Sequence, residues 1–287
     1  MTDHDNAYTG LVEADDDARW AFGTSFDDPL AGIDTTVPSG VDANALATYC
    51  LTLADDALVL AQRLGEWTTH APELEEEVAL ANIGLDLLGQ ARLLLARAAA
   101  ADPGVVPVLP EGSPVPPDDR LAYFRDGDAF RNVLLVEQPN GDFAVTMARL
   151  LVFSSWRLAL LEHLRWSDDP VLAAVAEKGV KEVRYHREHA ARWCITMAQG
   201  TDISRERMIA GIAVVWRDVA ELQGTDPTEA FDDAMQTIDR VLGTAGLERP
   251  DVPPRNGRGR DGVHSEAFDE LLAEMQGLAR EHPMGRW

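Results

Sequence analysis

Cysteine is nearly absent from this 287-residue chain. Cys50 and Cys194 stand far apart, outside any CxxC pattern. They make neither a zinc site nor a disulfide framework, and the expectation is two buried thiols. Lysine is as scarce: Lys178 and Lys181 are the whole set, and every other basic side chain is arginine. A GC-rich genome or a salty cytoplasm accounts for such a bias, and neither speaks to function. Positive charge is short overall, with 25 Lys and Arg against 49 Asp and Glu and a net charge of −24. Such a surface repels nucleic acid and anionic membrane, so neither is expected as a partner. No apolar run reaches the length of a membrane span, and the N-terminus has no basic region followed by an apolar one. A cytoplasmic location is therefore expected. No stretch alternates for long as a strand would, and no repeat of fixed period is present.

What is present is helical. Residues 1–42 carry ten acidic residues and one arginine, and Pro38 and Gly40 close them off. They read as a mostly disordered acidic tail, with Trp20, Phe22 and Phe26 as candidates to dock onto a surface. From 43 to 287 the pattern predicts one helical domain. Helices are expected at about 43–66, 73–101, 142–166 and 168–198, with shorter ones near 119–126, 202–222, 227–243 and 265–281. Pro72 opens the second, and Glu73 to Glu77 suit its positive end. Val78, Ala81, Leu85, Leu88 and Leu95 recur at three- and four-residue steps and are taken as its core-facing stripe. Six prolines in 102–118 mark a crossover. Four long helices and one long crossover predict an all-α, ferritin-like four-helix bundle with additional C-terminal helices.

Such a bundle can hold two metal ions between its helices, using about four carboxylates and two histidines, with Glu-x-x-His placing two ligands on one helix face. Glu-x-x-His occurs nowhere in this chain. The first helix offers Asp55 or Asp56. The second offers Asp86, but Gly89 stands where a histidine is needed. The third reads Phe153-Ser154-Ser155-Trp156 where a glutamate is needed. The fourth offers Glu182, with Tyr185 three residues on and His186 after it. Asp55, Asp86, Glu182 and His186 therefore read as vestigial metal positions, neutralised by one another and by an arginine such as Arg149 or Arg184. For His186 and His189 the plainer reading is a helical surface pair, or one satisfied histidine at an interface.

Two loops also stand out. Arg255, Arg258 and Arg260 alternate with glycines in residues 255–262. They are candidates for coenzyme A phosphates, a partner's acidic surface, or simple solvent exposure. Residues 137–142 are either an interface loop or plain turn chemistry, with Asn140-Gly141 supplying positive φ angles. Trp67, Trp156, Trp166, Trp193 and Trp216 are assigned mostly to the core, and any facing outward are candidate anchors.

Longer stretches carry a resemblance. They include 53–58 (LADDAL), 62–67 (QRLGEW), 70–75 (HAPELE), 79–92 (ALANIGLDLLGQAR), 132–142 (NVLLVEQPNGD), 181–186 (KEVRYH) and 272–276 (LAEMQ). In this order, from about residue 45 to the end, the chain resembles the C-type subunits of bacterial phenylacetyl-CoA epoxidase. The resemblance implies a non-catalytic, structural subunit of a multicomponent monooxygenase that uses O2 and NADPH in aerobic phenylacetate breakdown. It implies a sister subunit of the same fold carrying the di-iron centre, and a reductase subunit with FAD and an iron–sulfur centre. No cofactor is implied for this chain, while a homodimer within a larger hetero-oligomer is compatible with it. Two rivals stay open: a self-sufficient dimetal oxygenase using Asp55, Asp86, Glu182 and His186, and a CoA-thioester-binding module acting through the 255–262 loop.

Overall fold

A computed structural model describes residues 30, 32–224 and 229–285. Among these there are helices and no strands. Four long helices form the bundle: α1 (Ala43–Gly65), α2 (Leu74–Ala101), α5 (Phe143–Leu164) and α6 (Pro170–Ala198). α1 packs along α2 and α5 along α6, and the two hairpins are joined by the crossover 102–142, which holds α3 (Pro117–Tyr123) and α4 (Leu134–Glu137). This is the ferritin-like arrangement. α7 (Asp202–Trp216), α8 (Val219–Leu222), α9 (Glu229–Ala245) and α10 (Glu266–Glu281) follow. α7 and α9 cover α5, while α10 lies against α3, α4 and α1.

The starts are set by local chemistry. Asp42, Asp142, Asp169 and Thr201 each accept hydrogen bonds from backbone amides of the first turn that follows. Pro170 occupies the first position of α6, where its missing N–H costs nothing. The expected helix at 202–222 is instead broken into α7 and α8. Asp218 turns inward at the break to meet Arg255, which also donates its own amide to the Arg217 carbonyl at 2.7 Å.

α5 is the bundle's central rod. Thr146 to Leu161 is buried without interruption, because α6, α7 and α9 enclose it. Contrary to the sequence expectation, α2 and α5 are both long and apolar enough to cross a membrane. For α5 this reflects burial inside the protein, which takes in 94% of the apolar window; for α2 the share is 39%.

α2 corrects a second expectation. Val78, Leu85 and Leu88 are exposed, as is Ala81; of the expected stripe only Leu95 is buried. The core face is Leu80, Ile83, Leu87, Ala91 and Leu94. The helix is apolar on two sides, so periodicity alone could not choose between them.

Most of the expected acidic tail, with Trp20, Phe22 and Phe26, lies outside the described residues. The described part is docked. Ile33, Val37 and Val41 pack against the core, and Arg97 donates to the Thr35 carbonyl. The folded region therefore begins earlier than residue 43.

Trp156 is buried, and Trp67, Trp193 and Trp216 are half-buried. Trp67, Phe143 and Trp193 form an edge-to-face series with centroids 5.9 and 5.1 Å apart. Trp166 is exposed. Cys50 and Cys194 are buried free thiols. Burial pushes each up to about 12. At pH 8, iodoacetamide is expected to leave both unmodified in the folded chain and to modify both after unfolding, as read by intact mass.

Candidate functional site

The centre of the bundle is organised by an arginine that the ligand spacings do not single out. Arg157 of α5 is fully buried. Its Nη1 donates to the Leu53 carbonyl of α1 at 3.1 Å and its Nε to Gln90 Oε1 of α2 at 3.0 Å. Gln90 Nε2 in turn donates to Glu182 Oε2 of α6 at 2.9 Å. One guanidinium and one amide thus connect all four long helices. Burial pulls Arg157 down to about 10, against the opposing pull of Asp56. The same desolvation raises Glu182 above the usual carboxylate range, while the Gln90 hydrogen bond acts the other way.

The four expected metal positions do not converge. His186 Nε2 meets Asp86 Oδ2 at 2.9 Å at the edge of the α2–α6 contact. Glu182 belongs to the Gln90–Arg157 chain. Asp55 is elsewhere: Arg125 grips it with both terminal nitrogens, and the Arg131 amide donates to it at 2.9 Å. Arg125 also lies 4.1 Å over the Phe130 ring. Neither arginine expected to neutralise the group reaches it. Arg149 is held by Gln138 and Asn140, and Arg184 pairs with Glu162 at the surface. His189 stands 3.2 Å from Glu76 Oε2 without the alignment of a hydrogen bond, and burial lowers its pKa. Among the described residues, no group of three or more His, Cys, Asp or Glu side chains comes together to hold a metal ion. A guanidinium occupies the bundle centre, so this donor set does not fit a di-iron cluster.

Two of the three arginines of the glycine–arginine loop are likewise turned inward. Arg260 donates to Asp56 Oδ2 at 2.6 Å and Oδ1 at 3.0 Å, and to the Thr52 and Arg131 carbonyls. Arg255 pairs with Asp218 at 2.6 Å. Of the three loop arginines only Arg258 faces solvent, with Asp261 at 3.9 Å. Glu221 receives the Leu134 and Arg260 amides and holds the loop from the other side.

Residues 137–142 are structural as well. Glu137 is fully buried and accepts from the Ser265 amide at 2.6 Å and Asn132 Nδ2 at 3.0 Å, with His264 Nδ1 at 2.8 Å. Asn140 Nδ2 donates to the Arg63 carbonyl at 2.6 Å, and Asp142 caps α5. Only Gly141 of the Asn140-Gly141 pair has positive φ.

Four buried carboxylates therefore each face a guanidinium, Asp55 with Arg125, Asp56 with Arg260, Asp169 with Arg97 and Asp218 with Arg255, while Glu137 meets the His264 imidazole. The Asp55, Asp56 and Glu137 contacts lock α1, the crossover and the C-terminal loop together, Asp218–Arg255 ties that loop to the α7–α8 break, and Asp169–Arg97 joins the start of α6 to α2. A buried charge needs such a partner, and the fork of a guanidinium serves a carboxylate better than an ammonium does.

The family described as phenylacetic acid catabolic protein matches residues 33–287, which include the docked segment ahead of α1. The chain is also 42% identical over 258 residues to the C-type subunit of the 1,2-phenylacetyl-CoA epoxidase of Escherichia coli (strain K12). That match covers 85% of this chain and 100% of the other.

Proposed function

The chain belongs to the phenylacetic acid catabolic protein family, and on that premise we propose that it is the non-catalytic, structural subunit of a phenylacetyl-CoA epoxidase complex. Its task is to hold a di-iron catalytic subunit of the same fold in its working shape and to help present a docking surface to a reductase subunit with FAD and an iron–sulfur centre. It works in the cytoplasm, in aerobic phenylacetate breakdown, and holds no cofactor of its own. The E. coli relative's name supports the complex and the pathway. The observation that supports the non-catalytic part is Arg157. Its positive charge, joined to Gln90 and Glu182, sits between the four long helices where a metal centre of this fold would need converging anionic ligands.

The test is metal analysis of the purified chain, alone and co-expressed with the catalytic subunit. The expected result is no iron and no turnover of phenylacetyl-CoA by the chain alone, and roughly two irons per heterodimer with turnover restored by reductase and NADPH. Stoichiometric iron or product formation by this chain alone would overturn the reading.

A further inference from the structure

The apolar side of α2 that does not face the core has the pattern of a helix seam. Leu74, Val78, Ala81, Leu85 and Leu88 follow one another at steps of four, three, four and three. This is the heptad rhythm by which one helix packs into another. The large members are 71%, 53%, 64% and 41% exposed, in that order and leaving out Ala81. Singly exposed leucines are ordinary, but a contiguous row on one helix is a binding surface. Beside it runs a groove of about 320 Å³ between α2 and α1, lined by Leu58, Ala61, Leu80, Leu85 and Leu88 and closed by Tyr123. A second hollow of about 260 Å³ continues it past Leu88 towards Leu95. At Gly89, on the seam's flank, a side chain would meet nothing within 4 Å, so a partner backbone can come close there.

Charge chooses the occupant. Glu73, Glu75 and Glu77 rim the N-terminal end of the seam, and no cation of the described chain pairs with any of them. The nearest cation along the seam, Arg92, is held by Asp118 at 3.3 Å. A second copy lying antiparallel, its seam in register about Ala81, would set Glu75 and Glu77 against Leu87 and Leu85, and a parallel one would set them against each other. Neither supplies a positive charge, and each copy carries −24. A different chain with basic residues satisfies both the apolar row and the acidic rim.

We infer that the outer face of α2 docks an amphipathic helix of the catalytic subunit, with apolar residues at heptad spacing and Lys or Arg opposite Glu73 to Glu77. This rests on the structural-subunit reading above and names the surface through which it acts.

The experiment measures binding of the separately purified catalytic subunit by calorimetry, with light scattering for the mass of each species. V78E/L85E alters only exposed positions and is expected to keep the wild-type circular dichroism and melting temperature. Its affinity for the catalytic subunit should fall by about a hundredfold or more. E75Q/E77Q should weaken binding several-fold and flatten its salt dependence. I209E, at an exposed position on α7, should bind as wild type does. Wild-type binding together with unchanged binding by V78E/L85E overturns the surface while leaving the functional reading intact. So does a wild-type homodimer that V78E/L85E dissociates without affecting the catalytic subunit. Absence of any wild-type complex overturns both.

Discussion

Replacing Arg260 with alanine is expected to cost about 3–5 kcal/mol of stability, the usual consequence of stripping a buried carboxylate of its cation. Asp56 is wholly buried on α1, and Arg260 supplies two hydrogen bonds to it from the far end of the chain. The same guanidinium closes the carbonyls of Thr52 and Arg131. Without it, Asp56 keeps only the Val133 amide at 2.9 Å and the more distant field of Arg157. For a domain of this size the melting temperature should drop on the order of 10 °C, measurable by calorimetry.

The pH dependence of that loss has a definite sign. Burial already holds Asp56 above the usual carboxylate range, with Arg260 as the largest opposing influence. Removing Arg260 raises it further. A carboxyl raised in the folded state favours folding in its neutral form, at low pH, and the contribution is lost as pH rises through the folded value. The deficit of R260A relative to wild type should therefore shrink as pH falls from 7 towards 5. D56N/R260M removes both charges at once and should recover most of the loss at pH 7. A pH-independent deficit, or no recovery in the double variant, would show that Arg260 acts by packing and not by charge.

The long helices were legible because caps, prolines and apolar spacing agree at their boundaries. Pro72 with Glu73 to Glu77 marked one start in the sequence, and the structure adds Asp42, Asp142 and Asp169 as caps and Pro170 as the first residue of α6. The orientation of α2 was not legible, because Leu80, Ile83 and Leu87 make as good a stripe as Val78, Leu85 and Leu88, and only the tertiary partner decides which is buried. The polar centre was half legible. Asp86 and His186 do pair, and Glu182 does face inward to Gln90. Arg157 was not legible, because it lies one residue beyond Phe153-Ser154-Ser155-Trp156 and a long side chain acts several ångströms from its own backbone. Helical spacing cannot report which loop will deliver a cation from a distant part of the chain, as Arg125 and Arg260 are delivered to Asp55 and Asp56.

The 255–262 loop shows the same limit in its glycines, which read from sequence as flexibility for a phosphate. Gly259 is buried, and a methyl group there would overlap the Asn132 carbonyl oxygen and stand 3.1 Å from its carbon. Backbone, not a flexible side chain, is in the way, so the loop would have to move. Gly259→Ala is expected to cost about 3 kcal/mol by this overpacking. The movement displaces the neighbouring residue Arg260 from Asp56, so the two positions report one event. In a double-mutant cycle, G259A/R260A should lose little more than R260A alone, with a coupling of about 2–3 kcal/mol measured by denaturant unfolding. Additive losses would mean that Gly259 serves only its own turn. Coupled losses would mean that the glycine is there to bring a guanidinium within reach of a carboxylate on the first helix, and that the loop closes the bundle from the outside.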